Sequence, residues 1–90
     1  MIVLPLYKNA DINFNPTVYP NPVSDVFTIN KLSSSLKDVL VLDMNGKVLY
    51  KLQTQEQQVK INATSWIAGV YIIQIKTNKG EKSSLKIIKI

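Results

Sequence analysis

Val39-Leu40-Val41-Leu42-Asp43-Met44-Asn45-Gly46-Lys47-Val48-Leu49-Tyr50-Lys51-Leu52 is the stretch that decides the fold class. Val39–Leu42 is an unbroken apolar run of strand length, the pattern of a strand buried on both faces. Asn45-Gly46 between two apolar runs is a strong hairpin signal. It predicts a type I′ turn, which needs positive φ at both central residues. After the turn, Val48, Tyr50 and Leu52 alternate with Lys47, Leu49 and Lys51, which places the first set inward. A continuous apolar run, a tight turn and an alternating run make an antiparallel pair.

The same signals recur on either side. Val26-Phe27-Thr28-Ile29 is rich in β-branched and aromatic residues and reads as a strand, and Val59-Lys60-Ile61 as a short alternating one. Val70–Thr77 is the clearest strand, with Tyr71, Ile73 and Ile75 on one face. Asn78-Lys79-Gly80 then turns the chain into a last strand over Lys82–Ile90. Val18-Tyr19-Pro20-Asn21-Pro22 holds two prolines that cannot donate to a ladder, so it is an edge segment, with Tyr19 and Asn21 extended ahead of each proline. Asn62–Gly69 is a connection whose Trp66 and Ile67 both need burial. About seven short strands with turn signals between them predict an all-β antiparallel sandwich. Residues 1–16 read as a lead-in or linker and residues 17–90 as the domain. The opening Met1–Tyr7 is too short and lacks the basic start for a signal peptide. Met1 reads as an artificial start or part of an expression leader, with a larger protein normally ahead of it.

Composition excludes several functions. The chain has 90 residues, 46% of them hydrophobic, enough for one closed core. It has no Cys and no His, which removes disulfides, thiolate metal sites, the commonest general base and conventional catalytic triads. The net charge is +5, and all eleven basic residues are Lys. Lysines without Arg, spread along the chain, read as a solvated surface and not as a nucleic-acid site.

Six carboxylates remain: Asp11, Asp25, Asp38, Asp43, Glu56 and Glu81. Most fall at turns and strand ends, where solvation explains them better than a facing catalytic pair. Ser-Lys dyads are available in composition, but no pair is singled out. Asp43-Met44-Asn45-Gly46 lacks the downstream Glu of a calcium loop, and no metal or cofactor is expected. Asn62-Ala63-Thr64 fits a glycosylation sequon and carries no assigned function. Trp66 could serve as a sugar platform but reads better as a plug over one end of the sandwich. Each of the three glycines has a turn or a strand start to explain it, and no phosphate-cradling loop is present.

Leu85-Lys86-Ile87-Ile88-Lys89-Ile90 fits neither standard pattern. A strand buried on both faces should not carry lysines, and an ordinary edge strand should not carry so many isoleucines. One reading is an edge strand with lysines guarding against aggregation. The other is a strand left partly unsatisfied so that a partner adds to it, whether a receptor segment or a second copy in a strand-mediated dimer.

Three segments in order carry a family resemblance: Val18-Tyr19-Pro20-Asn21-Pro22, then Val41–Val48, then Ile67-Ala68-Gly69-Val70-Tyr71-Ile72-Ile73-Gln74-Ile75. Together, ahead of a Lys-bearing final strand, they resemble the C-terminal sorting domain of type IX (Por) secretion cargo proteins of the Bacteroidetes, from about Thr17 to Ile90. Ile67, where such domains usually have Leu, and the bulky Trp66 depart from the pattern. The resemblance implies an immunoglobulin-like sandwich behind a cargo domain. It implies recognition by the type IX machinery, export through the periplasm and outer membrane to the medium or cell surface, and a cut by a surface sortase just before the domain. It implies no catalytic residues. Its signal positions are Pro20, Asn21, Pro22, Asp43, Asn45, Gly46, Gly69, Tyr71, Lys86 and Lys89. The competing reading is an accessory carbohydrate- or protein-binding or stalk sandwich of a secreted enzyme, which a surface row of coplanar aromatics would favour.

Overall fold

The structure, a computed structural model, describes residues 15–90. The expectations for residues 1–14 lie outside the described residues. Seven strands follow in order: β1 Thr17–Tyr19, β2 Val26–Asn30, β3 Lys37–Leu42, β4 Val48–Thr54, β5 Val59–Asn62, β6 Gly69–Thr77 and β7 Lys82–Lys89. They form two sheets, of order β1-β2-β5 and β4-β3-β6-β7. Every strand pair is antiparallel. The fold is an immunoglobulin-like β-sandwich.

Period-two alternation builds the core. Phe27 and Ile29 of β2 and Val59 and Ile61 of β5 line one inner face. Val39 and Val41 of β3, Tyr71, Ile73 and Ile75 of β6, and Ile87 of β7 line the other. Full burial of one such side chain contributes on the order of 1.5–3 kcal/mol. Strand β3 departs from the sequence reading. Its burial alternates, with Val39 and Val41 fully buried but Leu40 and Leu42 only half-buried on the outer face. The apolar run reports a central position in the sheet, not cover on both sides.

The Asn45-Gly46 hairpin turn differs from the expected type I′ form. Gly46 has φ +84°, but no other residue of its turn has positive φ. Gly46 N–H donates to Asp43 O at 3.0 Å, and Asp43 N–H donates to Lys47 O at 3.0 Å. This is a three-residue loop with a left-handed glycine at its end. The Asp43 carboxylate chooses it, by accepting from the Asn45 and Lys47 amides at 2.9 Å each. Thr77 repeats the device before Gly80. Its hydroxyl accepts from Lys79 N–H at 3.3 Å and Glu81 N–H at 3.1 Å, and Gly80 has φ +90°.

Strand direction gives the sandwich two poles. At the Gly69 pole lie the link from β1 to β2, the Asp43–Lys47 turn, the Asn62–Gly69 connection and the end of β7. At the Thr77 pole lie the Lys31–Leu36 loop, the end of β4, the Asn78–Glu81 turn and the start of β1. Nine-residue β6 separates the poles by roughly 30 Å.

The lysines are not uniformly solvated. Lys37 is 1% exposed. Its ammonium donates to Ser33 O at 2.7 Å, Ser35 O at 3.3 Å and Thr54 O at 3.4 Å, so all three donors are used. Burial lowers its pKa from the ordinary lysine value, opposed by the charge of Glu56. This residue ties the Lys31–Leu36 loop to the end of β4. Lys37→Met leaves those carbonyls without a donor and should lower stability by about 2 kcal/mol. The denaturant midpoint should fall with an unchanged slope. A midpoint equal to that of the unaltered chain would show that the ammonium bonds contribute nothing net.

Candidate functional site

All ten candidate signal residues lie at or beside the Gly69 pole, although they come from four separate segments. The first segment does the least expected thing. After β1 the chain passes Pro20 and Pro22, each preceded by a cis peptide bond, and leaves β2. It then runs along β7 of the other sheet. The Asn21 side chain stands in for a strand backbone there. Its Nδ2 donates to Lys86 O at 3.0 Å, and its Oδ1 accepts from Ile88 N–H at 2.9 Å. Val23 continues with its own backbone. Its N–H donates to Ile88 O at 2.8 Å, and its carbonyl accepts from Ile90 N–H at 2.9 Å. The Val23 side chain is fully buried.

These four bonds cover the outer edge of β7 from Lys86 to Ile90. Of the two readings of the final strand, the partly unsatisfied one is therefore corrected for that half. It fails because a side-chain amide does the pairing, and an alternation pattern does not show that. Among the described residues, the open part of the edge is the Lys82–Ser84 half. Lys86 and Lys89 point to opposite faces. Lys86 is exposed on the outer face. Lys89 turns inward, is 9% exposed, and donates to Ile90 O at 3.1 Å.

The second and third segments share a groove of about 400 Å³ lined by Asp43, Lys47, Leu49, Ser65, Trp66, Ile67 and Tyr71. Trp66 is partly buried. Its ring sits 5.7 Å from Phe27, edge-on, and 5.0 Å from Tyr71. Tyr71 is buried, and its hydroxyl donates to Ile67 O. The three rings close the pole, as the plug reading expects. Ile67 does not join them: it is 81% exposed. The backbone carbonyl of Ile67 is used by Tyr71, and that contact aims its side chain into solvent beside the groove.

Gly69 opens β6 opposite Lys89. Asn62 of the sequon accepts from Thr64 N–H at 2.9 Å, which is a turn-forming role. Among the described residues no hydrogen bond engages the Asn45 side chain, and no group of three or more acidic, His or Cys side chains could hold a metal ion. Nor is there a surface row of aromatics among them, since Trp66 and Tyr71 are committed to the core.

Residues 17–90 match the profile of the family described as the secretion system C-terminal sorting domain. An ulvan lyase of Nonlabens ulvanivorans is 33% identical over 72 residues, covering 79% of this chain and 14% of the lyase. An endo-acting ulvan lyase of Formosa agariphila is 32% identical over 82 residues, covering 90% of this chain and 16% of the lyase. The chain thus spans about a seventh of those relatives. Among solved structures, PorZ, a surface component of the type IX secretion system of Porphyromonas gingivalis, has a TM-score of 0.79 at 23% identity. The match covers 94% of this chain and 12% of PorZ. A DUF3244 family protein from Bacteroides vulgatus with an immunoglobulin-like β-sandwich fold has a TM-score of 0.75 at 20% identity, over 89% of this chain and 88% of that one.

Asn21→Ala removes both side-chain bonds to β7 while keeping Val23. Stability should fall by about 1–2 kcal/mol. Hydrogen exchange should quicken most at the Ile88 amide, because that N–H loses its acceptor. Unchanged Ile88 protection would mean that the carboxamide does not hold the edge.

Proposed function

The chain belongs to the secretion system C-terminal sorting domain family, and it directs the protein that carries it across the outer membrane through the type IX (Por) system, to the medium or cell surface; we propose that the Gly69 pole is the part the machinery reads. The observation that carries this reading is convergence. Pro20, Asn21 and Pro22, Asp43, Asn45 and Gly46, Gly69 and Tyr71, and Lys86 and Lys89 are scattered over seventy residues of sequence, yet they gather about one end of the sandwich. Several also maintain that end: Asp43 shapes the turn, Tyr71 closes the core and Asn21 holds β7. Fold-keeping and recognition are joined, because the read surface exists only when these contacts form.

The domain on this reading is residues 17–90, with residues 1–16 a linker to the cargo. Asn15 and Pro16 precede β1 at the Thr77 pole, roughly 30 Å from the pole that is read. That separation lets a surface sortase cut ahead of Thr17 while the machinery still holds the Gly69 pole. The domain is an address and a substrate and has no catalytic role of its own. The accessory-module alternative has no aromatic platform to support it among the described residues.

Deleting the last strand is a poor test, since Ile87 would leave the core with it. Point changes are better. A periplasmic reporter fused ahead of residues 9–90 should reach the medium or cell surface of a type IX-competent host. Ile67→Ser with Asn45→Ala alters the pole without touching the buried aromatic stack or the turn bonds, and should cut export at least tenfold with an unchanged melting temperature. Full export of that variant would move recognition away from the pole.

A further inference from the structure

The outer face of the four-stranded sheet is apolar where a solvated sheet face should be polar. Its cross-strand register places the residues together. Leu42 is paired with Val48 on one side and Ile72 on the other, and Ile72 with Lys86. Leu40 lies between Lys51 and Gln74, and Val70 lies beside Ile88. Leu40, Leu42, Val70 and Ile72 are half-buried, while Leu49 and Ile88 are exposed. This is one contiguous patch on the half of the sheet toward the Gly69 pole. The opposite face of the sheet packs on the three-stranded sheet. Among the described residues no strand lies across this one.

Charge on the same face is mostly positive. Lys51, Lys76, Lys82 and Lys86 project from it, and among the described residues Asp38 is the only carboxylate, paired beside Lys76 at the far end. Lys76 and Lys82 stand directly opposite each other, an arrangement that costs stability in isolation. We infer that this face docks a protein partner presenting an apolar patch with an Asp/Glu rim. An acidic rim would relieve the lysines, and the apolar centre would be desolvated against a matching surface. A second copy fits poorly, because stacking two such faces sets lysines against lysines. A bilayer fits poorly too, because the side chains at the centre of the patch are half-buried and do not protrude far enough to insert.

The inference deepens the sorting reading by naming a surface for the machinery, but its test does not need export to succeed. The full chain, fused behind a periplasmic reporter in a type IX-competent host, carries p-benzoylphenylalanine in place of Ile72, or of Lys60 on the other sheet as control. Irradiation at Ile72 should give an adduct whose mapped partner peptide holds apolar and acidic residues. The adduct should vanish with Lys51→Glu and Lys86→Glu, persist with the corresponding Arg changes, and be missing from the Lys60 control. Leu42→Thr with Ile72→Thr and Ile88→Thr should reduce export at least tenfold. Should that triple variant fold poorly, the exposed-lysine reversals, which leave the core alone, give the same readout. An adduct at twice the chain mass, an adduct within the chain to residues 1–14, or binding of the chain to phosphatidylglycerol vesicles that Ile72→Thr abolishes would each overturn the inference. So would unchanged export of the folded variants. If the unaltered fusion stays in the periplasm, the sorting reading falls, and the crosslink still decides whether the face has an acidic partner.

Discussion

The arrangement depends on one side-chain amide imitating a peptide. Asn21 offers an N–H and a C=O to β7 in the spacing that a strand would, between two residues that cannot donate. Pro20 and Pro22 end pairing with β2 by lacking N–H groups. Asn21 then lets the chain resume pairing on the other sheet without a full strand, and Val23 completes the step with its backbone and a buried side chain. The link crosses from one sheet to the other. It joins residues more than sixty positions apart and closes one side of the sandwich. Without it Val23 has no reason to enter the core, and the β7 backbone is paired through β6 alone.

The strands were legible because each has the period of its environment. Inner faces of β2, β5 and β6 read directly from Phe27/Ile29, Val59/Ile61 and Tyr71/Ile73/Ile75. Residue pattern was a poorer guide wherever a side chain acted on backbone. Asn45-Gly46 predicted the wrong turn because Asp43 holds the amides of Asn45 and Lys47, leaving only Gly46 left-handed. Lys37 looked solvated because its partners are carbonyls, which any sequence supplies. Ile67 looked buried by hydropathy, but its carbonyl is fixed by Tyr71 and its side chain is turned out. The ten candidate signal residues were proposed through the family resemblance, and their convergence on one pole was not legible. One local signal did exist. An Asn flanked by two prolines ends a ladder and offers a side-chain donor and acceptor in its place.

The same contacts decide between two modes of recognition. Adding a partner strand to β7 needs open N–H and C=O groups. Over Lys86–Ile90 four of these are already bonded within the chain. A strand arriving there would exchange four hydrogen bonds for four others, and each is worth only about 0.5–1.5 kcal/mol net even when newly made. The exchange yields little free energy and evicts Val23 from the core. Docking on the outer face breaks nothing and removes half-exposed Leu and Ile from water, at about 25 cal/mol per Å² of apolar surface. The lysines of β7 fit this distinction. Lys86 stands on the docking face beside Ile72, while Lys89 is turned inward and spends its ammonium on Ile90. Recognition through the sheet face therefore uses the part of the final strand that the strap leaves free: its side chains, not its edge.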